Sequence, residues 1–154
     1  EGTADKMEYD RLQERIEALG LSDHVISLGS IPYRDLPGLY RSCDAFVFPS
    51  LVESFGHPLL ESMACGLPTV VSDTPVHREL CEGAAEYFEA KSAQDCAAVV
   101  QKVLENDSLR NEMKIKSLKR VEAFSWPAYV QRFASLVRQL VIEQGRVAET
   151  PSKA

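Results

Sequence analysis

Short, continuously apolar runs alternate along this chain with stretches in which apolar residues recur every three or four positions. A continuous apolar run is typical of a strand buried on both faces of a parallel sheet, and the wider spacing is typical of an amphipathic helix. The runs predict strands at 25–28, 45–48, 69–72 and 85–88. Strands that alternate with helices in this way indicate an α/β fold with a Rossmann-like, doubly wound parallel sheet.

The helical spacing is found between these strands and again after the last of them. The predicted helices cover 6–19, 36–43, 58–65, 76–80 and 93–104, followed by one that begins at Ser108 and one that begins at Trp126. Asp35, Ser92 and Ser125 are side chains that accept hydrogen bonds from the first N–H groups of a helix, and we predict them as N-caps. The last three helices follow the final strand, so they form a C-terminal helical segment.

Length and composition indicate one globular domain. The 154 residues are enough for a substantial core. We predict that this domain covers residues 1–143 and that the polar stretch 144–154 is a disordered tail. The net charge is −6, from 17 basic and 23 acidic residues. This balance excludes a nucleic-acid partner, which requires a basic surface.

Two further features bear on location and on metal binding. No apolar run approaches the roughly 20 residues of a membrane span, and no signal peptide is visible, so we expect a cytoplasmic protein. The four cysteines, Cys43, Cys65, Cys81 and Cys96, form no CxxC pair and have no histidine at metal-ligand spacing. We predict that they are small core residues in a reducing compartment and that no metal is bound.

One stretch carries the candidate chemistry. Glu53 and Glu61 lie on either side of seven residues that lead from predicted strand 45–48 into predicted helix 58–65. Pro58 suits a first helical turn, where the free N–H groups and the positive end of the helix dipole favour an anion. The two carboxylates can accept hydrogen bonds from hydroxyl groups. A nucleotide-sugar, which has phosphates in the middle and hydroxyls at both ends, fits this arrangement.

The identities of the residues around the two glutamates are more specific evidence of a family than the spacing of the glutamates alone. FVFPS at 46–50, ESFGHPLLE at 53–61 and MACGLPTVVS at 63–72 resemble the donor-binding signature of retaining glycosyltransferases with the GT-B fold. The resemblance is closest to the "group 1" family, also called glycosyltransferase family four, in which two glutamates stand either side of seven residues. It extends over about 5–140 and implies the C-terminal lobe of a GT-B fold.

The resemblance implies a role for each residue of this site. Glu53, as the catalytic residue, accepts hydrogen bonds from the donor sugar and stabilises a positively charged transition state. Glu61 holds the two ribose hydroxyls, and Ser30 and Ile31 lie against the nucleotide base. The donor sugar and its phosphates are bound by Ser54, Phe55, Gly56, His57 and Leu59, chiefly through backbone N–H groups.

Several of these residues also have a simpler structural interpretation. Glu53 is then a solvated loop carboxylate, and Glu61 is an acidic residue in the first helical turn that complements the helix dipole. The His57 side chain either approaches the phosphates or only orients the loop. We predict a structural ion pair for Arg78, rather than a phosphate contact. His24 is predicted at the surface, and Tyr40 in a structural role.

The implied reaction transfers a hexosyl group from a UDP-, GDP- or ADP-sugar to an acceptor hydroxyl, with retention and without a cofactor. The resemblance also implies an N-terminal acceptor lobe as a partner. A preceding strand–helix–strand segment supplies an Arg/Lys pair for the pyrophosphate. We therefore expect this chain to be a fragment that is inactive alone. Relatives that act on lipid-linked acceptors imply peripheral association of the full-length enzyme with the inner membrane face.

Three other functional classes bear on the same residues. The chain is alternatively a non-catalytic nucleotide-sugar-binding subunit that completes a split transferase with a partner chain. It is also compatible with a degenerate nucleotide-binding module that has a regulatory role. A Rossmann dehydrogenase is disfavoured because no GxGxxG follows any predicted strand.

Overall fold

The computed structural model describes residues 3–143, with side chains from residue 6 onward. The chain divides into two compact units, Glu1–Asp35 and Leu36–Ala154. The first unit contains helix α1, Thr3–Ala18, and a 3-10 helix, Tyr33–Asp35. Helix α1 confirms the predicted helix 6–19. The predicted tail at 144–154 lies outside the described residues.

The predicted strand 25–28 is wrong. These residues have no regular secondary structure, and Ile26 is 80% exposed. A strand exists only where its N–H and C=O groups find a neighbouring strand. The sheet in the described part of the chain has the order β1-β2-β3 and does not include this segment.

The second unit carries the sheet and most of the helices. Its elements are α2 Leu36–Arg41, β1 Phe46–Phe48, α3 His57–Ala64, β2 Thr69–Ser72, α4 Pro75–Cys81, β3 Glu86–Phe88, α5 Ala93–Leu104, α6 Asp107–Val121, a 3-10 helix Glu122–Phe124, and α7 Trp126–Glu143. Every strand pair is parallel, with Val47 opposite Val70 and Val71 opposite Tyr87. The other three predicted strands are therefore confirmed.

The central strand β2 is covered on both faces, as in a doubly wound sheet. Successive side chains of a strand point to opposite faces, and all four residues of β2 are buried. Val71 packs into a cluster with residues of α3 and α4, namely Leu59, Met63, Leu80 and Cys81. Val70 packs with residues of β3, α5 and α6, namely Phe88, Val103 and Met113. Helices therefore cover both faces of the sheet, as predicted.

Two of the three predicted N-caps are confirmed, and helix α6 begins one residue before its predicted start. Ser92 and Ser125 accept from the backbone N–H groups of the third residue beyond each, at 3.1 and 3.4 Å, so these caps are confirmed. Helix α6 instead begins after Asn106, whose side-chain oxygen accepts from Leu109 N at 2.9 Å. Ser108 therefore lies inside the helix. Asp35 lies directly before α2, at the predicted cap position, but within residues 3–143 its carboxylate accepts no backbone N–H and instead lies 3.7 Å from Arg34 Nε. The predicted side-chain cap is therefore not formed.

Helix α2 ends at Arg41, two residues before its predicted end. The Ser42 N–H is shared between Gly38 O and Leu39 O, and the Cys43 N–H donates to Tyr40 O. Such i to i−3 bonds tighten and end a helix. Cys43 is consequently exposed, contrary to the predicted core position, whereas Cys81 is buried. Burial raises the pKa of the Cys81 thiol to about 11.

Helix α7 carries the predicted apolar stripe of Val130, Phe133, Val137 and Leu140, but it buries none of its residues. These four side chains are all 41–58% exposed. Between residues 3 and 143, every helix is too short or too polar to cross a lipid bilayer.

Candidate functional site

The loop that joins β1 to α3 follows the carboxyl end of β1, where ligands of doubly wound sheets bind. Gly56 ends this loop as the N-cap of α3, with φ 88° and ψ 52° in the left-handed region. A Cβ added there would lie 3.3 Å from methyl carbons of Leu59 and Leu80. Both the backbone conformation and the close packing therefore require glycine at this position.

The backbone N–H groups at the start of α3 differ in their partners. The Leu59 N–H donates to Gly56 O at 3.0 Å, and the Leu59 side chain is fully buried. Within residues 3–143, no acceptor takes the N–H groups of Phe55, Gly56 or His57. Three free donors thus gather at the positive end of a helix, which is a suitable arrangement for an anion.

The other predicted residues of the loop surround these donors. Glu53 is half-buried, and no described residue forms a hydrogen bond or an ion pair with its carboxylate. Ser54 and His57 are exposed. The Phe55 and His57 rings lie 5.0 Å apart, centroid to centroid. The loop therefore presents one free carboxylate beside the free N–H groups.

Glu61 lies one turn further along α3, outside the first turn, because the helix begins at His57. Its Oε2 accepts a hydrogen bond from the Tyr40 hydroxyl at 3.3 Å. The plain interpretation of Glu61 as a first-turn acid is therefore wrong. Tyr40 is a contact that the sequence did not reveal, since the two residues are 21 positions apart and no local pattern relates them.

A hydrogen-bonded group from β2 and α4 supports the start of the same loop. The Ser72 hydroxyl donates to Ser50 O, and His77 Nδ1 donates to Ser72 O at 2.8 Å. His77 is buried with its ring 5.5 Å from that of Phe48, and its Nε2 has no partner among the described residues. These contacts fix the loop to the neighbouring strand.

Aromatic contacts support the other end of the loop. The rings of Phe55 and Phe124 meet edge to face with centroids 6.1 Å apart, and Arg120 lies over Phe124. A cavity of about 260 Å³ opens beside them, lined by Ser54, Phe55, Val76, Glu79, Leu80, Arg120, Ala123, Phe124 and Arg132. This support was not predicted, because α6 and the loop are far apart along the chain.

Arg78 forms the predicted ion pair. Its Nε and a terminal nitrogen donate to both oxygens of Asp73, at 2.5 and 2.6 Å. The guanidinium also lies 4.6 Å from the Tyr87 ring centroid. The hydrogen bond from Arg78 lowers the pKa of the Asp73 carboxyl. Arg78 is therefore bound to its neighbours in the structure.

The remaining predicted residues lie in the first unit. Ser30 is exposed and Ile31 is half-buried, both in irregular chain before the 3-10 helix. His24 is exposed, as predicted. Among residues 3–143, no three His, Cys, Asp or Glu side chains gather where they could hold a metal ion.

Known proteins resemble this chain in sequence and in structure. Serotype-specific mannosyltransferase WbdA of Escherichia coli is 35% identical over 77% of this chain and 15% of its own length. O-antigen chain mannosyltransferase B of Escherichia coli is 33% identical over 77% of this chain and 31% of its own length. Sucrose-phosphate synthase from Thermosynechococcus elongatus superposes with a TM-score of 0.78 at 26% identity, over 89% of this chain and 35% of that one.

This chain thus spans between 15% and 35% of the length of these three proteins. The structural match confirms the Rossmann-like GT-B architecture predicted from the sequence. The profile of one family, glycosyl transferases group 1, matches residues 2–120. Because that match covers well over half of the chain, the chain belongs to the glycosyl transferases group 1 family.

Proposed function

We propose that this chain is the donor-binding lobe of a retaining glycosyltransferase, which binds a nucleoside-diphosphate sugar along residues 53–61. One observation carries the proposal. Three unengaged backbone N–H groups at the start of α3 lie between two carboxylates that follow each other along the same loop and helix. This is the pattern of charges and donors that a diphosphate with a sugar at each end requires.

Each part of the donor has a partner in this proposal. The N–H groups of Phe55, Gly56 and His57 donate to the diphosphate and to sugar hydroxyls. Glu61 accepts from both ribose hydroxyls. Glu53 accepts from the transferred sugar, and its negative charge stabilises the positive charge that develops at the anomeric carbon. Ser30 and Ile31 are proposed to contact the base. Because Leu59 N–H is engaged, Leu59 contributes by anchoring the helix.

The proposed reaction needs no metal or further cofactor. The bond between the anomeric carbon and the phosphate oxygen breaks, and the acceptor oxygen bonds to the same face of that carbon. The acceptor proton passes to the leaving phosphate. The names of the relatives support a hexosyl donor, since two are mannosyltransferases and the solved structure is a sucrose-phosphate synthase.

The acceptor is held by a separate lobe in this proposal. We therefore expect this chain to bind donor without transferring sugar by itself. The whole enzyme is proposed to act in the cytoplasm, at the inner membrane face when its acceptor is lipid-linked.

Calorimetric titration of this chain with UDP, GDP and ADP, and with their hexose derivatives, tests the proposal. We expect one base to bind selectively. Loss of a hydrogen-bonding carboxylate in Glu61→Ala should weaken that binding about ten- to hundredfold. Glu53→Ala should weaken binding of the nucleotide-sugar but leave the affinity for the free diphosphate unchanged. Glu89→Ala is the matched control, because this exposed carboxylate follows the carboxyl end of β3 instead of β1.

Two results would overturn the proposal. The first is a folded chain that binds none of these nucleotides. The second is a bound nucleotide whose affinity is the same in Glu61→Ala, Glu53→Ala and Glu89→Ala, since binding would then occur elsewhere.

A further inference from the structure

We infer that Tyr40 is a positioning residue that holds the Glu61 carboxylate in the orientation that ribose recognition requires. The inference rests on the proposed function, because it assigns to Tyr40 an effect on ligand binding that acts through Glu61. The hydrogen bond from the Tyr40 hydroxyl to Glu61 Oε2, at 3.3 Å, is the observation that carries it.

Tyr40 is itself well fixed. It lies near the end of α2, and its ring meets Phe46 of β1 edge to face, with centroids 5.6 Å apart. Phe46 in turn stacks on Phe48 of the same strand. Both Tyr40 and Glu61 are half-buried. The hydroxyl is therefore presented to Glu61 from helix α2, by a side chain whose ring is packed against β1.

The hydrogen bond leaves Glu61 able to bind a ligand. An ionised carboxylate offers about four acceptor positions on its two oxygens. Tyr40 occupies one position on Oε2, so Oε1 and the remaining positions can accept from two neighbouring hydroxyls. No other side chain in the described part of the chain donates to this carboxylate. Tyr40 is thus the contact that orients it.

Orientation matters because glutamate has a flexible side chain. Ordering such a side chain on binding opposes affinity, and a group that is already held in place avoids much of that loss. The effect of Tyr40 should therefore appear only for ligands that carry the ribose hydroxyls. A residue that acts on overall stability would weaken every nucleotide equally.

The test compares UDP, GDP and ADP with their 2′,3′-dideoxy forms, for the wild-type chain and for Tyr40→Phe. The ring and its contact with Phe46 remain in this variant, and only the hydroxyl is lost. We expect the preference for ribose over dideoxyribose to fall about two- to tenfold in Tyr40→Phe, through weaker binding of the ribonucleotide alone. In the Glu61→Ala background, Tyr40→Phe should have no further effect.

Tyr87→Phe is the matched control. Its hydroxyl accepts a hydrogen bond from Gly83 N at 3.4 Å, so the substitution also removes one hydroxyl contact, at a site that does not touch Glu61. This variant should keep the wild-type preference.

The outcomes separate the two proposals. A reduced ribose preference in Glu61→Ala together with an unchanged preference in Tyr40→Phe overturns the role of Tyr40 and leaves the donor site in place. Equal weakening of ribo- and dideoxynucleotides in Tyr40→Phe also overturns it. A ribose preference unchanged in Glu61→Ala overturns both proposals.

Discussion

The guanidinium carbon of Arg120 lies 4.8 Å from the ring centroid of Phe124, directly over its face. The same side chain donates to Leu80 O at 2.8 Å and to Glu79 O at 2.7 Å, and it pairs with Glu82. Arg120 of α6 thereby satisfies carbonyl groups at the end of α4 and holds the 3-10 helix that carries Phe124. Since Phe124 contacts Phe55, the guanidinium also supports the candidate donor loop.

Replacement of Arg120 should therefore destabilise the fold. Arg120→Met keeps much of the aliphatic length but removes hydrogen bonds from a charged donor to two backbone carbonyls. We expect the free energy of unfolding in urea to fall by about 2–3 kcal/mol. Lys119→Met, at an exposed neighbouring position, should change it by less than about 0.5 kcal/mol. Equal effects of the two substitutions would show that the carbonyl contacts contribute nothing.

Replacing each of two glycines by alanine should change the free energy of unfolding in opposite directions. Gly56→Ala forces a side chain into the left-handed region and against two leucines, so we expect a loss of about 1–3 kcal/mol. Gly38→Ala introduces a better helix former into α2, where nothing lies within 4 Å of the new Cβ, and should gain up to about 1 kcal/mol. Urea unfolding of both variants checks this. A neutral Gly56→Ala would contradict the strained geometry of the loop.

The start of α6 allows the observed cap, Asn106, to be compared with Ser108, the residue at which the sequence predicted the helix to begin. Asn106→Ala removes the side-chain oxygen that accepts from Leu109 N and should lower the unfolding free energy by about 0.5–2 kcal/mol. Ser108→Ala lies inside the helix, where alanine is favoured, and should be neutral or slightly stabilising. Thermal unfolding of the two variants measures both effects. The reverse order would place the cap at Ser108.

The Asp73–Arg78 pair should make stability depend on acidity. Arg78 lowers the pKa of Asp73 below its ordinary value of 3.8, so the folded chain binds the proton less readily than the unfolded chain. The contribution of the pair is then fully present above about pH 4 and is lost as pH falls through the lower folded-state pKa.

Urea unfolding of the wild type and of Asp73→Asn at several pH values tests this dependence. The stability difference between them should stay constant from about pH 7 to pH 5 and shrink below about pH 4. In an Arg78→Gln background, the shrinkage should disappear. A difference that does not change with pH in the wild-type background would contradict the role of the pair.

The elements that the sequence predicted well are those whose signal is local. Strand 69–72 was found with its observed bounds because its apolar run lies between turn residues, and α5 because Ser92 caps an amphipathic pattern. The apolar run at 25–28 led to a wrong strand prediction, because an apolar run does not show whether the segment pairs with another strand.

The candidate site likewise combines local features, which the sequence predicted, with long-range contacts, which it did not. Gly56 and the two glutamates form one continuous stretch, so their proximity followed from the sequence. The Tyr40–Glu61 hydrogen bond and the contact between Arg120 and Leu80 O join residues 21 and 40 positions apart. Such contacts depend on how the helices pack over the sheet, and no spacing along the chain encodes them.

Strand β2 has a consequence for how this unit opens. It is hydrogen-bonded to a strand on each side, and Val70 and Val71 belong to the two core clusters on opposite faces of the sheet. The helices on one face of the sheet therefore cannot separate from it without disturbing β2, against which the helices on the other face also pack. The two layers should therefore unfold as one cooperative unit, with the amide hydrogens of β2 exchanging with solvent only when the whole unit opens.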